Sequence, residues 1–113
     1  MIDLKAFTPS LHRTVTRSGN TAVLRSIRFL HPRGKLAEVR LLVIPGVTDE
    51  PAELMAYGQF LAGIDPGLRL RLMPFRHLGT RPPARAWPEA TAQSLIGAAA
   101  SLSSTGLTNV VIQ

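Results

Sequence analysis

The chain has 113 residues, of which 45% are hydrophobic, and a formal net charge of +6. This is enough for one small domain with a core of its own, and it excludes a disordered tail. The absence of cysteine excludes disulfides, a cysteine nucleophile, thiolate zinc and a cysteine-held iron–sulfur cluster on these residues.

No apolar run approaches the roughly 18 to 20 residues needed to span a bilayer. The start, Met1-Ile2-Asp3-Leu4-Lys5, lacks the apolar stretch of a secretory signal. Both absences point to the cytoplasm. The positive charge is nearly all arginine, which suits an anionic partner. The arginines are scattered along the chain, however, and an Arg-rich, Ala-rich composition equally reflects a GC-rich genome.

In chain order, residues 2–5 predict a short strand, ended by Phe7-Thr8-Pro9. Residues 9–17 predict a turn or short helix anchored by Leu11 and Val15 at i, i+4 spacing. After the break Ser18-Gly19-Asn20, with Asn20 as N-cap, a helix runs to residue 31. Val23, Leu24, Ile27 and Leu30 form its apolar face, and Pro32 and Gly34 end it.

Residues 37–44 form an aliphatic run that suits a parallel strand buried on both faces. Pro45-Gly46 stops it, because proline offers no ladder N–H and glycine accepts a positive φ. Thr48 or Asp49 would cap the next helix, with Pro51 in its first turn. Leu54, Tyr57, Gly58 and Leu61 would be its buried stripe, and Gly58 would permit close approach to the sheet. Asp65-Pro66-Gly67 is a turn.

Residues 68–73 alternate Leu68, Leu70, Leu72 with Arg69, Arg71, a strand with one apolar face. A long connection follows from Pro74 to Trp87, longer than the usual βα loop of about two to six residues. Pro88-Glu89 open a third long helix, to residue 104, with Ala92, Leu95, Ile96, Ala99 and Leu102 toward the core. Residues 108–112 are a last strand. The order βαβαβαβ predicts an α/β fold with a parallel sheet and right-handed crossovers. Strands at both extremes leave open edges, as in a piece of a larger sheet or barrel. In such folds ligands gather at the carboxyl ends of the strands.

Four landmarks carry a family resemblance: Met1-Ile2-Asp3-Leu4-Lys5-Ala6-Phe7; Pro9-x-x-His12; the strand from Arg40 ending in Val43-Ile44-Pro45-Gly46-x-x-Asp49; and Leu72-Met73-Pro74-Phe75-x-x-Leu78-Gly79. In order and spacing they resemble the C-terminal half of radical S-adenosylmethionine enzymes of the glycyl-radical-enzyme activase type, typified by the pyruvate formate-lyase activating enzyme.

The resemblance implies a single partial-barrel domain over 1–113, the C-terminal portion of a (β/α)6 TIM-like barrel. In that family a Cys-x-x-x-Cys-x-x-Cys loop holds a 4Fe–4S cluster, which would lie N-terminal to Met1. Reductive cleavage of S-adenosylmethionine there yields a radical that takes hydrogen from a glycine of a partner enzyme, the glycyl radical enzyme. By the same resemblance Asp3 and Lys5 match the cofactor-contacting strand, and Arg40 matches a family arginine facing cofactor or peptide. Arg76 occupies the place of an adenine-packing histidine, with His77 one residue later; either would meet the adenine. His12 matches a family histidine.

Each residue also has a plain structural reading: a solvated pair at Asp3 and Lys5, an arginine at a strand's wet end, a surface loop at Arg76-His77. No Ser-His-Asp arrangement, metal-ligand histidine spacing or Gly-rich phosphate loop is present. The alternative function is a non-catalytic basic α/β binding module, for which nucleic acid is the less favoured ligand, or a degenerate remnant of the activase.

Overall fold

The computed structural model describes residues 2–77 and 86–113. Leu78 and Gly79 of the fourth landmark, and most of the long connection, lie outside them. The elements are β1 (Ile2–Asp3), α1 (Pro9–Thr16), α2 (Thr21–Leu30) with a 3-10 turn His31–Arg33, β2 (Val39–Val43), α3 (Pro51–Ile64), β3 (Leu70–Pro74), α4 (Ala92–Ser103) and β4 (Val110–Ile112). The sheet runs β1-β2-β3-β4 with every neighbour parallel. Each strand is thus followed by the next one over. Right-handed crossovers in one direction put the helices on one face.

The core lies between that face and the helices. Val39, Leu41 and Val43 of β2 and Leu70 and Leu72 of β3 point into it, against Ile27 of α2, Leu54, Tyr57 and Leu61 of α3, and Leu95, Ala98 and Leu102 of α4. The two-residue alternation of β3 is as the leucine–arginine pattern requires. On β2, burial on both faces is not observed: Arg40 and Leu42 stay half-buried, because among the described residues no helix covers the middle of their face. That face is closed at its carboxyl end alone, by Ile44 and Phe75 with Val15, Leu42, Val47 and Trp87.

Several local expectations give way to tertiary contacts. In α1 the buried residue is His12, while Leu11 and Val15 are half-buried. His12 Nδ1 lies 2.7 Å from the carbonyl of Ser18. Asn20 stands at the N-cap of α2 but makes no cap bond. Its amide donates instead to the carbonyls of Ala6 and Phe7, tying α2 to the end of β1. Neither Thr48 nor Asp49 caps α3, whose N-cap is Glu50. Thr48 Oγ1 accepts from Ile44 N (2.8 Å) and donates to Leu42 O (2.9 Å), and Asp49 accepts from Gly46 N. Both therefore brace the Pro45-Gly46 turn, where Gly46 has φ 76°.

The buried stripe of α3 is the expected one, with Glu53 added. Gly58 makes its close approach to Thr105 beyond α4, not to the sheet; a Cβ on Gly58 would overlap that side chain. α4 starts at Ala92, three residues past Glu89, because Thr91 and Ser94 form a capping box (Thr91 Oγ1 from Ser94 N, 3.1 Å; Ser94 Oγ from Thr91 N, 2.7 Å). Its core face is Leu95, Ala98 and Leu102, so Ala98 is buried while Ala92 and Ile96, expected inside, are exposed.

Candidate functional site

The uncovered sheet face carries the charged residues that the strands cannot bury against helices. Strand register sets them in a row: Asp3 of β1 is level with Arg40 of β2, which is level with Arg71 of β3. Arg40 and Arg71 converge on Glu38, one residue before β2. Arg40 Nε donates to Glu38 Oε2 at 2.7 Å, Arg71 Nε to the same oxygen at 3.1 Å, and Arg69 Nε stands 3.8 Å from Oε1.

Glu38 is the most enclosed member, its side chain 10% exposed. The Arg40 hydrogen bond, with that of Arg71, holds its carboxyl below the usual range, against a smaller opposing effect of burial. Lys5 lies 3.5 Å from Asp3, and both side chains remain partly open to solvent. Around Glu38 three guanidiniums meet one carboxylate, so the face keeps a positive surplus beside the Asp3–Lys5 pair. Such a surface can receive a group bearing both an anion and an ammonium.

Arg76 and His77 lie apart from this row, past the carboxyl end of β3. With β2 and β3 in register through Val43 and Pro74, Arg76 is beyond Ile44, five residues and about 17 Å along the strand from Arg40. Arg76 donates to the carbonyls of Phe75 (3.1 Å) and Ala90 (2.7 Å). His77 donates its backbone N–H to the Glu89 carboxylate and sets its Nε2 2.6 Å from the carbonyl of Trp87, its ring edge-on to Phe75. The two thus pin the connection to the segment before α4, at the end of the sheet where a barrel would hold its ligand.

Glu38 is the residue that sequence reasoning passed over. The signal was present in the Glu38-x-Arg40 alternation: on a strand these share a face, so a buried arginine there needs that carboxylate.

The fold and this face define a class: a singly wound parallel α/β sheet of the (β/α) barrel type, with its charged residues on the face the helices leave open. Within that class the chain is similar to pyruvate formate-lyase-activating enzymes. Over 79 residues, 70% of this chain, it is 28% identical to the one from Streptococcus mutans serotype c (strain ATCC 700610 / UA159), of which the match covers 30%. It is 25% identical over the same length to the one from Staphylococcus epidermidis (strain ATCC 12228 / FDA PCI 1200), covering 32%. The match therefore spans less than a third of these relatives' length.

A crystal structure of a domain of pyruvate-formate lyase-activating enzyme from Bacteroides vulgatus ATCC 8482 shares the fold, with a TM-score of 0.77 at 19% identity over 99% of this chain and 65% of that one. No family model matches the chain. No helix among the described residues is long and apolar enough to cross a membrane.

Proposed function

We propose that the chain is the C-terminal part of a radical S-adenosylmethionine activating enzyme, which generates a glycyl radical on a partner enzyme. The observation that carries this is the level row of Asp3, Arg40 and Arg71 on the open face of a parallel sheet, in a chain similar to activating enzymes.

The residues fit S-adenosylmethionine. Its ammonium and ribose hydroxyls suit the half-exposed Asp3 carboxylate, and its carboxylate suits Lys5 and Arg40, whose charges Asp3 and Glu38 only partly neutralise. Arg76 or His77, at the carboxyl end of β3, would border the adenine. Bound there, the cofactor supplies the one-electron chemistry that ends in hydrogen abstraction from the partner's glycine.

The residues do not fit a 4Fe–4S cluster. The chain has no cysteine, and among the described residues no three His, Asp or Glu side chains gather as a metal site. Any cluster that serves this reaction is held by other residues.

Calorimetric titration of the 113-residue chain with S-adenosylmethionine tests the reading. Binding is expected, and Lys5→Ala or Arg40→Ala should each weaken it by about tenfold, the loss of one charged hydrogen bond. Saturable binding unchanged by both substitutions, or no binding, would reject it. The alternative of a basic binding module has its own support, the distribution of charge described next.

A further inference from the structure

The whole net charge of the protein sits in one segment. Residues 6–37 contain six cations, Arg13, Arg17, Arg25, Arg28, Arg33 and Lys35, and no acid, whereas the rest of the chain carries seven of each. The arginines themselves are spread along the chain, but the charge that no acid of the same segment offsets falls on α1, α2 and the turns around them. None of these six side chains has a carboxylate partner among the described residues.

The same segment borders a cavity on the helical side of the sheet, away from the Glu38 cluster. α3 packs along α4 and α2 rests on β1, and a gap remains at the surface between α2 and α3, where Arg28 reaches Phe60. The gap is a groove of about 390 Å³, floored by Phe7, Leu24 and Phe60 and rimmed by Arg25 and Arg28. Phe7 tilts against Phe60 with ring centroids 5.6 Å apart. The Arg28 guanidinium lies over the Phe60 ring, 5.1 Å from its centroid. An apolar floor with unneutralised cations along one wall has the shape of an anchor pocket with a charged rim.

We propose that this groove docks an acidic segment of a partner protein, with one bulky apolar side chain seated against the edges of the paired Phe7 and Phe60 rings and flanking carboxylates on Arg25 and Arg28. Charge complementarity argues for the acidic partner: six cations without an internal counter-charge steer and retain carboxylates. The floor argues for a protein segment over a nucleic acid. Arg28 already covers the Phe60 ring and Phe7 leans on it, so the groove offers ring edges to an aliphatic or aromatic anchor and no open platform for a stacked base. The proposal does not depend on the assignment of S-adenosylmethionine to the opposite face.

The test is fluorescence anisotropy with the full 113-residue chain and a labelled peptide that has one central phenylalanine flanked by glutamates. Saturable binding is expected. Peptides with glutamine for glutamate, or alanine for phenylalanine, should each bind about tenfold more weakly. Arg25→Glu should weaken binding by about tenfold or more, while Arg33→Glu, the same charge change in the 3-10 turn after α2 where Arg33 stacks on Phe29, should stay within about twofold. Equal losses for the two variants would mean diffuse attraction and no site, and would overturn the proposal. So would indifference to the phenylalanine, or tighter binding of a single-stranded oligonucleotide than of the peptide at the same salt. Chemical-shift changes on adding peptide must fall on Leu24, Arg25 and Phe60; changes confined to the open sheet face also overturn it.

Discussion

The phenol of Tyr57, in the middle of α3, donates to the backbone carbonyl of Leu4 at 2.7 Å, joining a helix to the end of β1 across 53 residues of sequence. Both groups are fully buried. Tyr57→Phe keeps the ring and strands the carbonyl, so it should cost about 1–3 kcal/mol, read from urea unfolding. Burial, and then the carboxylates of Glu53 and Asp3, push this phenol well above the usual tyrosine value near 10. The unfolded chain therefore loses this proton before the folded one. Stability from Tyr57 is complete below pH ~10 and declines as the pH rises further, a loss that Tyr57→Phe should abolish.

Glu38 stands between Arg40 and Arg71 as their shared acceptor. Glu38→Gln leaves three guanidiniums facing one another. The melting temperature should fall, and fall further at low salt than at high salt, because only the repulsion is screened. The carboxyl is held below its usual range, so its contribution is present at neutral pH and is lost as the pH drops through that lowered value. Thermal melts of both proteins across salt and pH check this; equal melting temperatures would refute the role of Glu38.

Asp65 ends α3 and takes the N–H of Gly67 and the Nε2 of His31, the latter 2.8 Å away. These bonds, that of Gly67 foremost, depress its carboxyl. Asp65→Asn should lower stability at pH 7, and the difference from the parent should shrink as acid protonates the carboxyl below about pH 4. A gap that persists at pH 2 would locate the effect elsewhere.

Gly58 lies on α3 where Thr105 crosses it. Gly58→Ala gains helix propensity but overlaps the Thr105 side chain, so a net loss of about 1–3 kcal/mol is expected. Adding Thr105→Ala removes the two nearest atoms and should recover part of it. A double-mutant cycle with no coupling energy would disprove the contact.

Much of the chain was legible without coordinates, because hydrophobic period is a local property. The alternation of Leu68, Leu70 and Leu72 with Arg69 and Arg71 specified both the strand and its faces. The Leu54, Tyr57, Gly58, Leu61 spacing specified the buried side of α3. Helices between strands then left little choice but a parallel sheet. For the candidate site the family resemblance proposed Asp3, Lys5, Arg40, Arg76 and His77 around one cleft; the fold sets Asp3, Lys5 and Arg40 together with Glu38 and Arg71, and holds Arg76 and His77 farther along the sheet.

The tertiary structure alone decided where polar side chains spend their hydrogen bonds. Asn20 is a good helix cap by type, yet it bonds the end of β1 that the fold brings to it, whereas Thr48 and Asp49 are drawn off from capping by their own local turn. Glu53, on a helix face, accepts from Thr8 N at 3.1 Å, 45 residues away. It likewise set Arg40 and Arg71 on one carboxylate, put Arg76 about five residues farther along the sheet, and opened the groove beside α2. Apolar burial follows from pattern because it is non-directional and summed over many residues; a hydrogen bond needs one partner within about 3 Å, and that partner comes from whichever distant segment the packed core delivers.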